Sequence, residues 1–441
     1  MTKLKVGMIS LGCNKNRVDS ETALGLLREH GYELTNDPAQ ADVLMVNTCG
    51  FIASAKEESI DAILDMARYK QIGKCRALVV TGCLAQRYEK DLMQEIPEID
   101  LLMGVNQYQQ LPDALEKALG GVRKSYCMDD HTYYAHDRVL TTPSYTAYTR
   151  IGEGCSNCCT YCAIPSIRGA FRSRDEESIV EEAKTLAEQG VKELVLIAQD
   201  VSSYGIDLYG EYRLAHLLNL LCEIDGIEWI RLLYCYPDKI TDELIDTMAS
   251  QPKVLHYIDL PLQHADDSIL KAMNRHSSAE ETREVIRKLR ERMPDIVIRT
   301  TFIVGFPGEG DGEFETLAEF VNEQEFERLG CFEYSPQEGT PAAKMENQVD
   351  DDVKARRAEV IMQDQYEIMS EKNNEMIGKT LRVLTESYDD YTDSYSGRSY
   401  MDAPDIDGKI IFTSPDFIKE GDFVDVEILG TNEYDLLGRT V

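Results

Sequence analysis

Four cysteines crowd into one short stretch, Gly152-Glu-Gly-Cys155-Ser-Asn-Cys158-Cys159-Thr-Tyr-Cys162. Read as Cys155, Cys159 and Cys162 they form a CxxxCxxC run: three thiolates that can hold three irons of a 4Fe-4S cluster and leave the fourth open. An open iron can chelate the amino and carboxylate groups of a small molecule and pass it one electron, so most of the chemistry would start in this loop. A zinc loop is the competing reading. Zinc sites usually take four protein ligands, and no fourth Cys or His stands at finger-like spacing downstream. Cys158 leaves the spacing ambiguous, because it could replace Cys159 as the middle ligand.

A second set is dispersed. Cys13, Cys49 and Cys83 stand in Ser-Leu-Gly-Cys13-Asn-Lys-Asn, Asn-Thr-Cys49-Gly-Phe and Thr-Gly-Cys83-Leu-Ala-Gln, each just past a predicted strand. In a parallel sheet such loops share one edge, where the ligands of open α/β folds gather. Three residues far apart in sequence could meet there and bind a second cluster. The plainer alternative is a small apolar residue buried at each strand end. Cys75, Cys127, Cys222, Cys235 and Cys331 read as packing residues. His264, Gly152 and Gly154 take no role, and the glycines do not complete a dinucleotide fingerprint.

The elements that must position these loops alternate between two periods. Leu4 to Leu11, Val43 to Asn47, Leu78 to Thr81 and Leu101 to Val105 read as strands with helices between them, giving an N-terminal parallel-sheet α/β domain over 1–140 that includes a linker at 120–144. Its first helix is expected over Ser20 to Glu29, capped by Asp19 and Ser20 and stopped at Gly31. Over 141–375, strands at Tyr145 to Ile151, Glu193 to Ala198, Trp229 to Leu233, His256 to Leu260, Ile296 to Val304 and Arg328 to Tyr334 alternate with helical patterns at Glu176 to Gln189, Asp242 to Ala249 and Ala279 to Arg292. Six such units predict a partial TIM-type (βα)6 barrel with its site at the carboxyl ends of the strands. A charged helix, Asp350 to Asn373, leads into 376–441, where short strands and turns predict a small five-stranded OB-like β-barrel.

With 441 residues and 43% hydrophobic content the chain has room for about three globular domains. Twelve cysteines, no charged-then-apolar leader and no apolar run near the ~20 residues a bilayer needs predict a cytoplasmic, reducing-compartment protein without membrane association. The net charge of −33 disfavours phosphate backbones and favours basic partners.

The CxxxCxxC run is the spacing by which radical S-adenosylmethionine enzymes hold their cluster, and over essentially its whole length the chain resembles the methylthiotransferase family of those enzymes. The likeness rests on the Leu-Gly-Cys13, Asn-Thr-Cys49 and Thr-Gly-Cys83 contexts, the run Cys159-Thr-Tyr-Cys-Ala-Ile-Pro-Ser-Ile-Arg-Gly169, and Ile303-Val-Gly-Phe-Pro-Gly-Glu309. The tail looks like the family's TRAM domain. The resemblance implies two 4Fe-4S clusters: one on Cys155, Cys159 and Cys162 that cleaves S-adenosylmethionine, with Tyr161 near the adenine, and an auxiliary one on Cys13, Cys49 and Cys83 whose open iron holds the sulfur to be methylated and inserted. It selects Cys159 over Cys158. It also implies two S-adenosylmethionine molecules, one as methyl donor and one as radical source, and an electron donor such as flavodoxin or ferredoxin. The sulfur donor stays unknown.

Two branches of that family differ in substrate, MiaB-like enzymes modifying an adenosine in tRNA and RimO-like enzymes an aspartate of the twelfth protein of the small ribosomal subunit. From Gly378 to Val441 there are 14 Asp and Glu against 6 Lys and Arg, where a grip on RNA would need a basic face. The segment Gly397-Arg-Ser-Tyr-Met-Asp-Ala-Pro-Asp-Ile-Asp-Gly408 also resembles the RimO branch. A basic ribosomal protein is therefore the expected partner and tRNA the lesser alternative. Asp402, Asp405 and Asp407 are expected to face that partner, or else to be a solvated turn. A non-enzymatic iron-sulfur carrier or scaffold would need no S-adenosylmethionine.

Overall fold

The computed structural model describes residues 3–128 and 138–441. Its first sheet holds β1 (Lys5–Ser10), β2 (Glu33–Leu34), β3 (Val43–Thr48), β4 (Ala77–Gly82), β5 (Leu101–Met103) and β6 (Lys124–Tyr126), all parallel, in the order β2-β1-β3-β4-β5-β6. β3 and β4 are buried throughout, as strands covered on both faces must be. Alternate side chains serve the two faces. Met45 and Val79 share a core with Leu26 and Leu27 of the helix Asn14–Glu29, and Val46 and Val80 share one with Ile63 of the helix Ala53–Ala67.

After β7 (Thr146–Arg150) a small antiparallel pair, β8 (Gly152–Glu153) and β9 (Arg172–Ser173), brackets the cysteine loop. β10 (Glu193–Ile197), β11 (Trp229–Leu232), β12 (Val254–Gln263), β13 (Val297–Val304) and β14 (Arg328–Glu333) then join β7 in a six-stranded parallel sheet, order β14-β13-β12-β11-β10-β7. Leu194 and Leu196 pack towards the covering helices, with Ile179 and Leu217, while Val195 and Ile197 face the other way.

That inner face is filled by the third unit. β15 (Thr380–Asp389), β16 (Ser394–Arg398), β17 (Ile410–Thr413), β18 (Phe423–Asn432) and β19 (Asp435–Thr440) close a barrel in the order β15-β16-β17-β19-β18, antiparallel except for β17 and β19. Val383, Tyr395, Phe412 and Val426 of the barrel share one core with Tyr148, Val195, Trp229 and Tyr257 of the sheet. Buried charge fixes the junction: Glu193 accepts from Arg231 at 3.0 Å and from Arg398 at 2.6 Å, all three at most 3% exposed. Burial works against the Glu193 carboxylate, but Arg398 and Arg231 outweigh it and hold its carboxyl at about 2, below the ordinary 4.5. A depressed folded-state pKa contributes stability that is complete above the unfolded value and is lost as pH falls through the folded one. The melting-temperature advantage of the wild type over Glu193→Gln should therefore hold from neutral pH to about 4.5 and shrink between there and about 2. An advantage independent of pH over that window would contradict this account.

Four expectations need correction. The first helix begins at Asn14, directly after Cys13, and Asp19 and Ser20 are buried inside it instead of capping it; Gly31, with φ 86°, does follow its end. β2 and β6 are edge strands of two and three residues, too short to show a period, and β6 lies in the stretch read as linker. Residues 129–137 of that linker lie outside the described residues. The acidic segment of the tail is neither a docking rim nor a solvated turn. Asp402 accepts from Arg328 at 2.9 Å and Asp407 from the Tyr257 hydroxyl at 2.6 Å, both carboxylates nearly inaccessible, because their partners come from the central sheet. Asp405 alone is exposed, beside Arg17 at 3.3 Å.

Candidate active site: two cysteine triplets joined by buried charge

Cys155, Cys159 and Cys162 converge on the loop leaving β8. Cys155 and Cys159 are buried and Cys162 is half-buried. Each sulfur faces donors: Asn157 Nδ2 lies 3.4 Å from Cys155 Sγ, the Ile164 N–H 3.4 Å from Cys162 Sγ, and Arg275 Nη1 and the Tyr236 hydroxyl each 3.9 Å from Cys159 Sγ. Burial, with Cys159 and Cys155 adding to it, pushes the Cys162 thiol up to about 12. A metal centre that takes these sulfurs must displace their protons, and the donors then stabilise the resulting thiolates. Among the described residues no three His, Cys, Asp or Glu side chains are arranged around a single ion. Three soft sulfurs, each with outer donors, fit a 4Fe-4S cluster with one iron open. The loop closes tightly at Gly154, φ 80°, where a Cβ would lie 2.2 Å from the Ala170 carbonyl oxygen.

Cys158 stands apart. It is exposed, with φ 51°, and its carbonyl accepts from Asn274 Nδ2 at 3.1 Å. Asparagine tolerates this left-handed backbone better than most residues. Cys158→Asn should leave iron content and turnover unchanged, as iron analysis of the loaded variant would show; loss of a cluster would make Cys158 the middle ligand.

Cys13, Cys49 and Cys83 meet at the carboxyl edge of the first sheet, directly after β1, β3 and β4. The loops are in contact: a Cβ on Gly12 would come within 2.9 Å of Cys49 Cβ, and Asn16 Oδ1 accepts from the Cys83 thiol at 3.6 Å. Gly82, with φ 97°, allows β4 to turn into Cys83, and a Cβ there would strike Asn47 Oδ1 at 2.3 Å. Cys13 is exposed, Cys49 half-buried and Cys83 buried, so this triplet opens outward from the sheet. Burial pushes the Cys83 thiol up to about 12, while the Arg168 guanidinium beside it pulls the other way.

Arg168 is what the sequence did not reveal. It ends the short helix Ile164–Arg168 that follows Cys162, yet its guanidinium crosses to the first sheet: it donates to Asn16 at 2.7 Å and Asp19 at 2.9 Å, and to Glu153 at 3.0 and 3.1 Å. Arg150 completes the square, 2.6 Å from Asp19 and 2.7 Å from Glu153. All four side chains are at most 2% exposed. Burial opposes the charge on Glu153, but Arg168 and Arg150 outweigh it and hold the carboxyl at about 2. Two cationic and two anionic groups thus fasten the helix beginning at Cys13 to the loop bearing Cys155 and Cys162. The visible signals were Arg168 inside the Cys159–Gly169 run and Asp19 misread as a cap.

Between the triplets lies the loop after β11. Tyr234, with φ 61°, packs its ring under Lys15, whose Nζ is 2.9 Å from the ring centroid, and its hydroxyl accepts from Asn14 Nδ2 at 3.2 Å. Tyr236 reaches Cys159. Burial, partly offset by Cys13, brings the Lys15 ammonium down to about 8. Tyr161 packs against Met273, Phe306 and Tyr334. His264 is spent structurally, 3.2 Å from Glu309. Cys75 and Cys235 are buried in cores, with Cys127, Cys222 and Cys331 packed at core margins.

Comparison with known proteins fits this geometry. Family profiles match residues 149–321 (Radical SAM superfamily), 5–104 (Uncharacterized protein family UPF0004) and 377–441 (TRAM domain). The chain is 53% identical to the "Ribosomal protein uS12 methylthiotransferase RimO" of Desulforamulus reducens, over 98% of this chain and 99% of that protein. It is 50% identical to the protein of the same description from Lachnoclostridium phytofermentans, over 99% of each. Among solved structures, the radical S-adenosylmethionine methyltransferase TsrM of Kitasatospora setae, described with cobalamin and a [4Fe-4S] cluster bound, shares the fold at a TM-score of 0.58 and 14% identity, over 76% of this chain and 77% of that one. Among the described residues no helix is long and apolar enough to cross a membrane.

Proposed function

The chain belongs to the RimO family of radical S-adenosylmethionine methylthiotransferases, and we propose on that footing that it adds a methylthio group to the β-carbon of an aspartate in ribosomal protein uS12. The observation that carries the reading is the buried square of Asp19, Arg168, Glu153 and Arg150, which holds a second cysteine triplet against the first. An enzyme with one cluster would have no use for that arrangement.

In this reading Cys155, Cys159 and Cys162 hold one 4Fe-4S cluster and Cys13, Cys49 and Cys83 another. When bound, the clusters supply reductive cleavage of S-adenosylmethionine at the first site and a seat for the incoming sulfur at the second. The chain's own residues tune and align. Asn157, the Ile164 N–H and Arg275 donate to the first set of sulfurs, and Arg168 lies beside Cys83 of the second. Tyr161, with Met273, Phe306 and Tyr334, forms an apolar wall suited to adenine. One S-adenosylmethionine serves as methyl donor and one as radical source, a flavodoxin- or ferredoxin-like protein supplies electrons, and the work is done in the cytoplasm. The tRNA reading has less support: the barrel's acidic excess stands, and Arg398, one of its six basic residues, is buried against Glu193. With reduced, cluster-loaded enzyme, uS12 should stimulate 5′-deoxyadenosine formation and tRNA should not. Stimulation by tRNA alone would favour the other branch, and no 5′-deoxyadenosine under any condition would leave only an electron carrier.

A further inference from the structure

We propose that Lys15 seats the side-chain carboxylate of the aspartate being modified, which makes it a substrate-binding residue between the two cysteine triplets. The inference rests on the reading that the substrate is an aspartate. Lys15 lies in the first turn of the helix that starts after Cys13 and is 5% exposed. Its ammonium rests on the face of the Tyr234 ring, and among the described residues no carboxylate lies within ion-pairing distance of it.

The charges around it are already matched to one another. Arg168 and Arg150 are paired with Asp19 and Glu153. Asp259 accepts from Arg299 at 2.9 Å and from the Tyr234 N–H at 2.9 Å. Lys15 is left as a buried cation with no anion of its own, a costly arrangement that a ring face only partly offsets. An arriving carboxylate would complete it.

The position suits that role. Tyr234 carries Lys15 on its ring, and two residues on Tyr236 reaches Cys159, so a group held on Lys15 lies between the Cys13 side and the Cys159 side. In aspartate the carboxyl carbon is bonded directly to the β-carbon, so fixing the carboxylate also fixes the carbon that is modified. A neutral amide of the same shape would gain much less from the ammonium.

The test compares binding of a uS12 peptide carrying the target aspartate with binding of the same peptide carrying asparagine there. It uses cluster-loaded, unreduced enzyme with S-adenosylmethionine present, as wild type, Lys15→Met and Lys15→Arg. Wild type should prefer aspartate by about tenfold or more, Lys15→Met should bind both within about twofold, and Lys15→Arg should recover most of the preference. Persistence of the wild-type preference in Lys15→Met overturns the proposal. If Lys15→Met does not load its iron, Lys15→Gln replaces it; loss of iron in both uncharged variants but not in Lys15→Arg would make Lys15 the counter-charge of a cluster and equally overturn it. A wild-type enzyme that neither binds nor modifies the aspartate peptide would sink the aspartate reading first, and this seat with it.

Discussion

Replacing Cys155, Cys159 and Cys162 together by alanine is expected to abolish 5′-deoxyadenosine formation, whereas replacing Cys13, Cys49 and Cys83 should spare uncoupled cleavage of S-adenosylmethionine and stop methylthiolation. The asymmetry follows from the placement of the triplets. The first lies on the loop after β7 and β8, with its own donors in Asn157, Ile164 and Arg275. The second lies at the carboxyl edge of the other sheet. Neither set of sulfurs takes a ligand from the other, so each variant should lose the iron of one cluster and keep that of the other. Iron and sulfide analysis beside product assay reads both effects. Full wild-type iron in either triple variant would refute the assignment.

Arg168→Met is expected to be the most damaging single change outside the cysteines. It keeps bulk but leaves Asp19 and Glu153 sharing only Arg150, two carboxylates buried with half of their compensation removed. Removing one partner of a buried ion pair typically costs about 3–5 kcal/mol, because the surviving charge is neither solvated nor paired. The loss should appear as a lower denaturation midpoint. Because Arg168 also holds Asn16 and lies beside Cys83, methylthiolation should fall further than S-adenosylmethionine cleavage. Arg168→Lys should recover little, since one ammonium cannot fork to Asn16, Asp19 and Glu153 together. Equal loss of both activities with no change in stability would show that the square does not align the triplets.

The strands and their cysteines were legible because the signals are local. Val43–Thr48 and Ala77–Gly82 are apolar runs, and the residue that ends each burial pattern introduces a cysteine loop. The joining of the domains was not legible. Asp19 looks like a cap because capping is a local preference, but the helix starts without a side-chain cap at Cys13, and Asp19 serves two arginines more than a hundred residues away. Asp402 and Asp407 looked like a solvated acidic turn for the same reason, their partners Arg328, Arg299 and Tyr257 lying on other strands. Lys15 looked like an ordinary charged residue of a loop. Only the fold shows that it is buried on Tyr234, apart from any anion.

Mass spectrometry of the uS12 peptide after incubation with reduced, cluster-loaded enzyme, S-adenosylmethionine and a sulfide source tests the central claim most directly. The account predicts a mass increase of one methylthio group less one hydrogen, localised to the aspartate side chain and absent from both triple-cysteine variants. An unmodified peptide alongside a methylthiolated adenosine in tRNA, under the same conditions, would contradict it.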